Sequence, residues 1–151
     1  MPVFEALEHV ASIDLRMVRR KLADPQEGKG WTEEQLDAVE REYRRFLALH
    51  QTHPDAAVVP CGDVDAMWHY HILDTEAYAV DCEKAFGRFL HHFPYFGMRG
   101  DDDAMALADA YDWTLSTYRE VFGEPVPPGV WFGKKKLSDQ VQAGEVQVRR
   151  V

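Results

Sequence analysis

"VDAMWHYHILDTEAYAVDCEKAFGRFLHHFPYFG", residues Val64 to Gly97, decides how this chain is read. Val64, Trp68, His71, Thr75, Tyr78, Cys82, Phe86 and Phe89 recur at steps of three and four, the period of one helix face. Asp74 interrupts the stripe with a residue suited to an N-cap, which predicts two helices meeting at a bend. "HHFPYFG" then leaves the helix, since Pro94 and Gly97 both resist it. The same stretch holds four of the chain's seven histidines, one of its two cysteines and one of its four tryptophans. It therefore poses the functional question as well as the structural one.

The rest of the chain repeats the helical period. Phe4, Leu7, Ala11, Leu15, Val18 and Leu22 form one N-terminal helical stripe, broken by "DPQEGKG". Thr32 with Gln35 three residues later is a capping box, with acids in the first turn where the helix dipole favours them. The helix it opens carries Leu36, Val39, Tyr43, Phe46 and His50 down one face and must end before Pro54. A further helix begins at the acids after Gly100, repeats Ala108, Tyr111, Leu115, Tyr118 and Phe122, and closes at Gly123. The proline-led remainder is anchored by Val130, Trp131 and Phe132, and its last dozen residues form either a disordered end or a small strand around "VQVRRV". The expected fold is all-α: a compact bundle of four to five helices around one core, with an irregular C-terminal tail. Residues 1–133 read as a single helical domain and 134–151 as a basic tail.

Composition narrows the function. The 151 residues are 46% apolar and 28% charged, ordinary for a globular protein with a real core. No run approaches the ~20 apolar residues of a membrane helix. The N-terminus places acids and a histidine where a signal peptide would be basic and then apolar, so a cytoplasmic location is expected. Cys61 and Cys82 lack zinc-ribbon spacing and are expected as free thiols. A net charge of −9 argues against nucleic-acid binding, which needs a cationic face. The tail carries +3, which leaves −12 on residues 1–133.

Asp65, His69, His71, His91 and His92 fall within 28 residues. His71 lies inside the apolar stripe, where a histidine is either a core residue bonded to a carbonyl or tyrosine hydroxyl, or functional. His69 points about 200° round the helix from His71, so the two do not chelate one ion on a regular helix. His69 pairs instead with Asp65 at i, i+4, where the carboxylate is a co-ligand, an orienting group, or half of an exposed pair. His91 and His92 are adjacent in an aromatic loop, and one of them turned inward would complete a three-ligand, open-position site. Such donors suit zinc, iron, copper or nickel. Trp68, Tyr78 and Cys82 are the expected pocket residues, Cys82 as a buried small hydrophobe. His9, His50 and His53 carry no special signal; His50 sits at a helix C-terminus, where positive charge is favoured. P-loop, GxGxxG, GxSxG and HExxH patterns are missing from the sequence.

The pattern Asp65, Trp68-His69-x-His71-x-Leu73, Tyr78, Asp81-Cys82 and Gly87 resembles the glycine-rich-domain-containing-protein-like family. Its bacterial branch is similar also in His91-His92 and the turn from Pro94 to Gly97. The resemblance spans roughly residues 13–100. It implies no settled activity, and the RNA-linked roles of the plant members attach to portions this chain lacks. If both branches shared one metal site, the resemblance implies ligands drawn mainly from Asp65, His69 and His71.

Two functions follow as expectations. One is a histidine-based site for a divalent transition metal, possessed by an enzyme of unknown substrate and unassigned catalytic residues. The other is a non-enzymatic protein-interaction module in which the histidines are structural or recognition residues. Metal-free acid–base chemistry by Asp65 and His69 is a third reading with less behind it. The expected partner is a small molecule or protein, not nucleic acid or membrane.

Overall fold

The computed structural model describes residues 1–60 and 62–132. Among them are seven helices and no strand: α1 (Val3–Ala11), α2 (Arg16–Ala23), α3 (Glu33–Thr52), α4 (Gly62–Leu73), α5 (Thr75–Phe86), α6 (Asp101–Phe122) and α7 (Pro128–Trp131). The all-α class is thus what the three-and-four periodicity dictated. The stripe read as one N-terminal helix is two, because the chain turns at Ser12–Leu15. The Ser12 hydroxyl bonds the His9 carbonyl, and the Asp14 carboxylate accepts from the Arg16 backbone N–H to open α2. Cys61 and the basic tail, with its alternative of disorder or a strand, lie outside the described residues.

The described residues sort into two units, residues 1–54 with 64–90 and residues 55–63 with 91 onward.

In the first unit α3 is the spine. Its capping box is complete: Thr32 Oγ1 accepts from the Gln35 N–H at 3.2 Å, and Gln35 Oε1 accepts from the Thr32 N–H at 3.0 Å. Such a cap is worth about 1 kcal/mol. Leu36, Val39, Tyr43 and Phe46 are buried on one face, as their spacing predicts. α1 packs on α3 and α5, and α2 packs on α3. Arg44 secures the turn after α1, donating to the Val10 and Ile13 carbonyls. α4 and α5 meet at Asp74, as the interrupted stripe predicts, and Gly87 ends α5 in the left-handed conformation at φ 69°.

The second unit is built on α6. Asp103, in its first turn, gathers the Gly97 and Arg99 N–H groups and the Arg99 guanidinium, pinning the preceding turn to the helix. Gly97, at φ 90°, is required there: a Cβ would stand 2.5 Å from Leu107 Cδ2. The buried face is Leu107, Tyr111, Thr114 and Tyr118, one step round from the expected Ala108 and Leu115, which are half-buried. Thr114 explains the rotation, because its hydroxyl accepts from the Val59 N–H at 3.0 Å and donates to the Ala110 carbonyl. Trp131 is fully buried against Tyr118, which makes it the anchor of the proline-led segment.

Candidate functional site

The two faces of α4 carry different chemistry. Trp68 and His71 turn into the core of the first unit, where Trp68 meets Phe46 edge-on and His71 meets Tyr43 and Tyr78. His71 is 2% exposed and both ring nitrogens are engaged: Nε2 with Asp81 Oδ2 at 2.8 Å, Nδ1 with the Tyr43 hydroxyl at 2.7 Å. A carboxylate only accepts, so Nε2 carries the proton. Burial lowers the His71 pKa, with Asp81 opposing, which favours a neutral ring. Nδ1 is then the acceptor, and the Tyr43 O–H donates to it. The line Asp81–His71–Tyr43 ties α5 to α4 and α4 to α3.

A second chain lies beside it. Trp68 Nε1–H donates to the Tyr78 oxygen at 3.0 Å, and the Tyr78 O–H donates to the Leu90 carbonyl at 2.5 Å. Leu90 is buried, so this bond fixes the place where the chain leaves the first unit. Trp68, Tyr78 and Cys82, expected to line a pocket, are 3%, 1% and 1% exposed and form packed core. Burial pushes the Cys82 thiol and the Tyr78 phenol up, so both are held neutral. The Cys82 thiol is free, as expected.

The flank of α4 presents Asp65 and His69. Asp65 Oδ2 lies 3.3 Å from His69 Nε2, and the two side chains are 16% and 51% exposed. The hydrogen bond to Asp65 raises the His69 pKa against a smaller opposing effect of burial. Within the first unit, then, Asp65 and His69 are brought together, while His71 is turned away from them and given to the core. Both nitrogens of His71 are bonded to core side chains. His91 and His92 belong to the second unit, His91 exposed and His92 half-buried.

The remaining histidines divide. His9 Nδ1 meets Gln51 Nε2 at 2.9 Å, and His53 Nδ1 meets the Thr52 hydroxyl at 2.9 Å. His50 departs from its expectation. Its ring packs edge-on to Phe46 at 4.7 Å, and its Nε2 is sealed without a hydrogen-bond partner. Burial lowers its pKa to about 3, with Arg88 adding to the effect. The favourable charge anticipated at a helix C-terminus is lost to desolvation, and the ring is neutral.

Sequence reasoning did not pair His71 with Tyr43 and Asp81. The signals were present, Tyr43 in the α3 stripe and Asp81 ten residues past His71, but the angle at the Asp74 bend decides whether they meet.

The chain belongs to the UCP032817-like family, whose model matches residues 13–122. That finding corrects the resemblance to the glycine-rich-domain-containing-protein-like family. The motif residues quoted for that resemblance lie inside the matched span, so they are accounted for by an uncharacterised family instead. No curated protein and no solved structure matches the chain.

Proposed function

We propose that Asp65 and His69 hold one divalent transition-metal ion and that the protein is a metal-dependent enzyme. The carboxylate and the imidazole each offer one ligand atom. The observation that carries the reading is the Asp65–His69 separation of 3.3 Å. In a tetrahedral shell with bonds of about 2.1 Å, neighbouring ligand atoms stand about 3.4 Å apart. The pair is therefore already at the edge length that such a shell needs. An imidazole and a carboxylate leave positions open for water and substrate, as catalytic rather than structural sites do.

The donor set suits zinc, iron or copper. Zinc would supply Lewis-acid polarisation or an activated water, and iron or copper would supply oxidative chemistry. His71 sits outside the ligand set and stiffens the helix that carries His69. A reducing, cytoplasmic setting agrees with a free Cys82; among the described residues no helix is long and apolar enough to cross a membrane.

Metal analysis of protein purified without a histidine tag tests the proposal. About one equivalent of metal is expected, lost in His69→Ala. Substoichiometric metal that this substitution leaves unchanged would sink it. The rival, an interaction module, draws on Phe93, Tyr95 and Met98, which are 51%, 58% and 70% exposed in the turn before α6. It is favoured if the protein holds no metal while Phe93→Ala and Tyr95→Ala keep the fold and abolish binding to a defined protein partner.

A further inference from the structure

A cleft of about 330 Å³ opens in the first unit between α2, α4 and the α4–α5 corner. Met17, Val18 and Lys21 line it from α2, Tyr70 and Leu73 from α4, and Asp74 from the corner. Met17 and Leu73 are 65% and 73% exposed, two large apolar side chains standing in water around a concave surface. Beside them are two opposite charges that the fold does not consume. Asp74 occupies the N-cap position of α5, yet its carboxylate makes no capping bond. The Lys21 ammonium is engaged only loosely, with Glu27 at 3.4 Å, and both side chains are more than half exposed. Such a pair is worth less than about 1 kcal/mol and yields readily to another anion.

We infer that this cleft binds a small zwitterion with an apolar side chain, of the α-amino-acid class. The ammonium of the ligand meets Asp74, its carboxylate meets Lys21, and its side chain covers Met17, Val18 and Leu73 against the Tyr70 ring. A phosphorylated ligand would bring negative charge against Asp74. A wholly apolar ligand would strip water from both charges and pair neither. The volume lies at the lower end of the range for small-molecule sites, about 300–1,000 Å³, which fits an amino acid and excludes a dinucleotide. None of the metal-site residues proposed above takes part.

The test is an amide-shift NMR titration of the whole chain, stripped of metal by chelation, with L-leucine to about 10 mM. Expected are saturable shifts at Met17, Lys21, Tyr70 and Leu73, with weaker binding of leucine amide, which lacks the carboxylate, and of 4-methylpentanoate, which lacks the ammonium. Lys21→Gln should erase the preference for leucine over its amide, and Asp74→Asn the preference over 4-methylpentanoate, each with an affinity loss of about fivefold or more. If either variant fails to fold, the three ligands on the unaltered chain still decide. Absence of shifts at the cleft, equal binding of all three ligands, or unchanged binding in both folded variants would each overturn the inference. Because the protein is metal-free throughout, a negative result leaves the metal reading standing, and a metal-free native protein leaves this one standing.

Discussion

His69 and His71 stand two residues apart on α4 and live in different chemical worlds. His71 is sealed, with each nitrogen bonded to a core side chain, while His69 is half exposed with its Nε2 3.3 Å from the Asp65 carboxylate. Residue type alone assigns neither a role; the 200° between them on the helix does. The inward ring is built into the core, and the flanking ring is the one the proposed metal site draws on. The largest expected effect follows from that contrast. His71→Ala strands the Tyr43 hydroxyl and the Asp81 carboxylate and opens a cavity, at a cost of roughly 3–5 kcal/mol in denaturant unfolding. His69→Ala should cost less than about 1 kcal/mol in the same assay. Equal losses would erase the distinction between the faces.

Tyr78 lets the inward face be examined at one atom. Tyr78→Phe keeps the ring and removes only the oxygen, breaking its bonds with the Trp68 N–H and the Leu90 carbonyl. About 2 kcal/mol of destabilisation is expected, measured by urea melts. Because the Leu90 bond holds the point where the chain leaves the first unit, faster amide exchange near Leu90 should accompany it. A neutral result would mean that packing, not the hydroxyl, holds that exit.

His50 adds a pH axis to the same face. Its pKa in the folded protein, about 3, lies below the ordinary histidine value, so on acidification the unfolded chain binds the proton first. Its contribution to stability is complete above about pH 6.5 and is lost as pH falls toward 3, with a slope of at most about 1.4 kcal/mol per pH unit. His50→Phe removes the unpartnered Nε2 and the titration together. Thermal melts between pH 7 and pH 5 should show a flatter decline in the variant, by about 1 kcal/mol or more at the acid end. Parallel declines would place the acid sensitivity elsewhere.

Much of this was legible in the residues, and what was not has a geometric cause. Periodicity yielded α3 with its Thr32–Gln35 box, the bend at Asp74 and the Gly123 stop of α6, because those depend on neighbours in sequence. The break at Ser12–Leu15 was hidden because Leu15 stays buried and keeps the apolar stripe in step through the turn. Asp65 with His69 was legible, being one helical turn apart. The cleft of Met17, Tyr70 and Asp74 was not, since α2 and α4 approach only after α3 has been laid between them in sequence. His50 misled because helix-end electrostatics are local and readable, whereas the desolvation that overrides them comes from Phe46 and Trp68 packing around the ring.

The smallest effect is the most informative about the flanking face. The Asp65 carboxylate raises the His69 pKa, so Asp65→Asn should lower it in an NMR titration of the ring protons, with little change in melting. A proton and a metal ion compete for the same nitrogen lone pair, so metal loading of the unaltered protein should weaken as pH falls through the His69 titration. The amide oxygen that Asp65→Asn leaves in place can still face a metal, but without a charge. A carboxylate that ligates directly would take affinity with it when replaced; one that only polarises the ring from behind would leave metal bound nearly as tightly. Loading measured against pH in the two proteins separates these roles. If the His69 pKa does not move in Asp65→Asn, the 3.3 Å pair is not an interacting one, and the face contrast loses its chemical half.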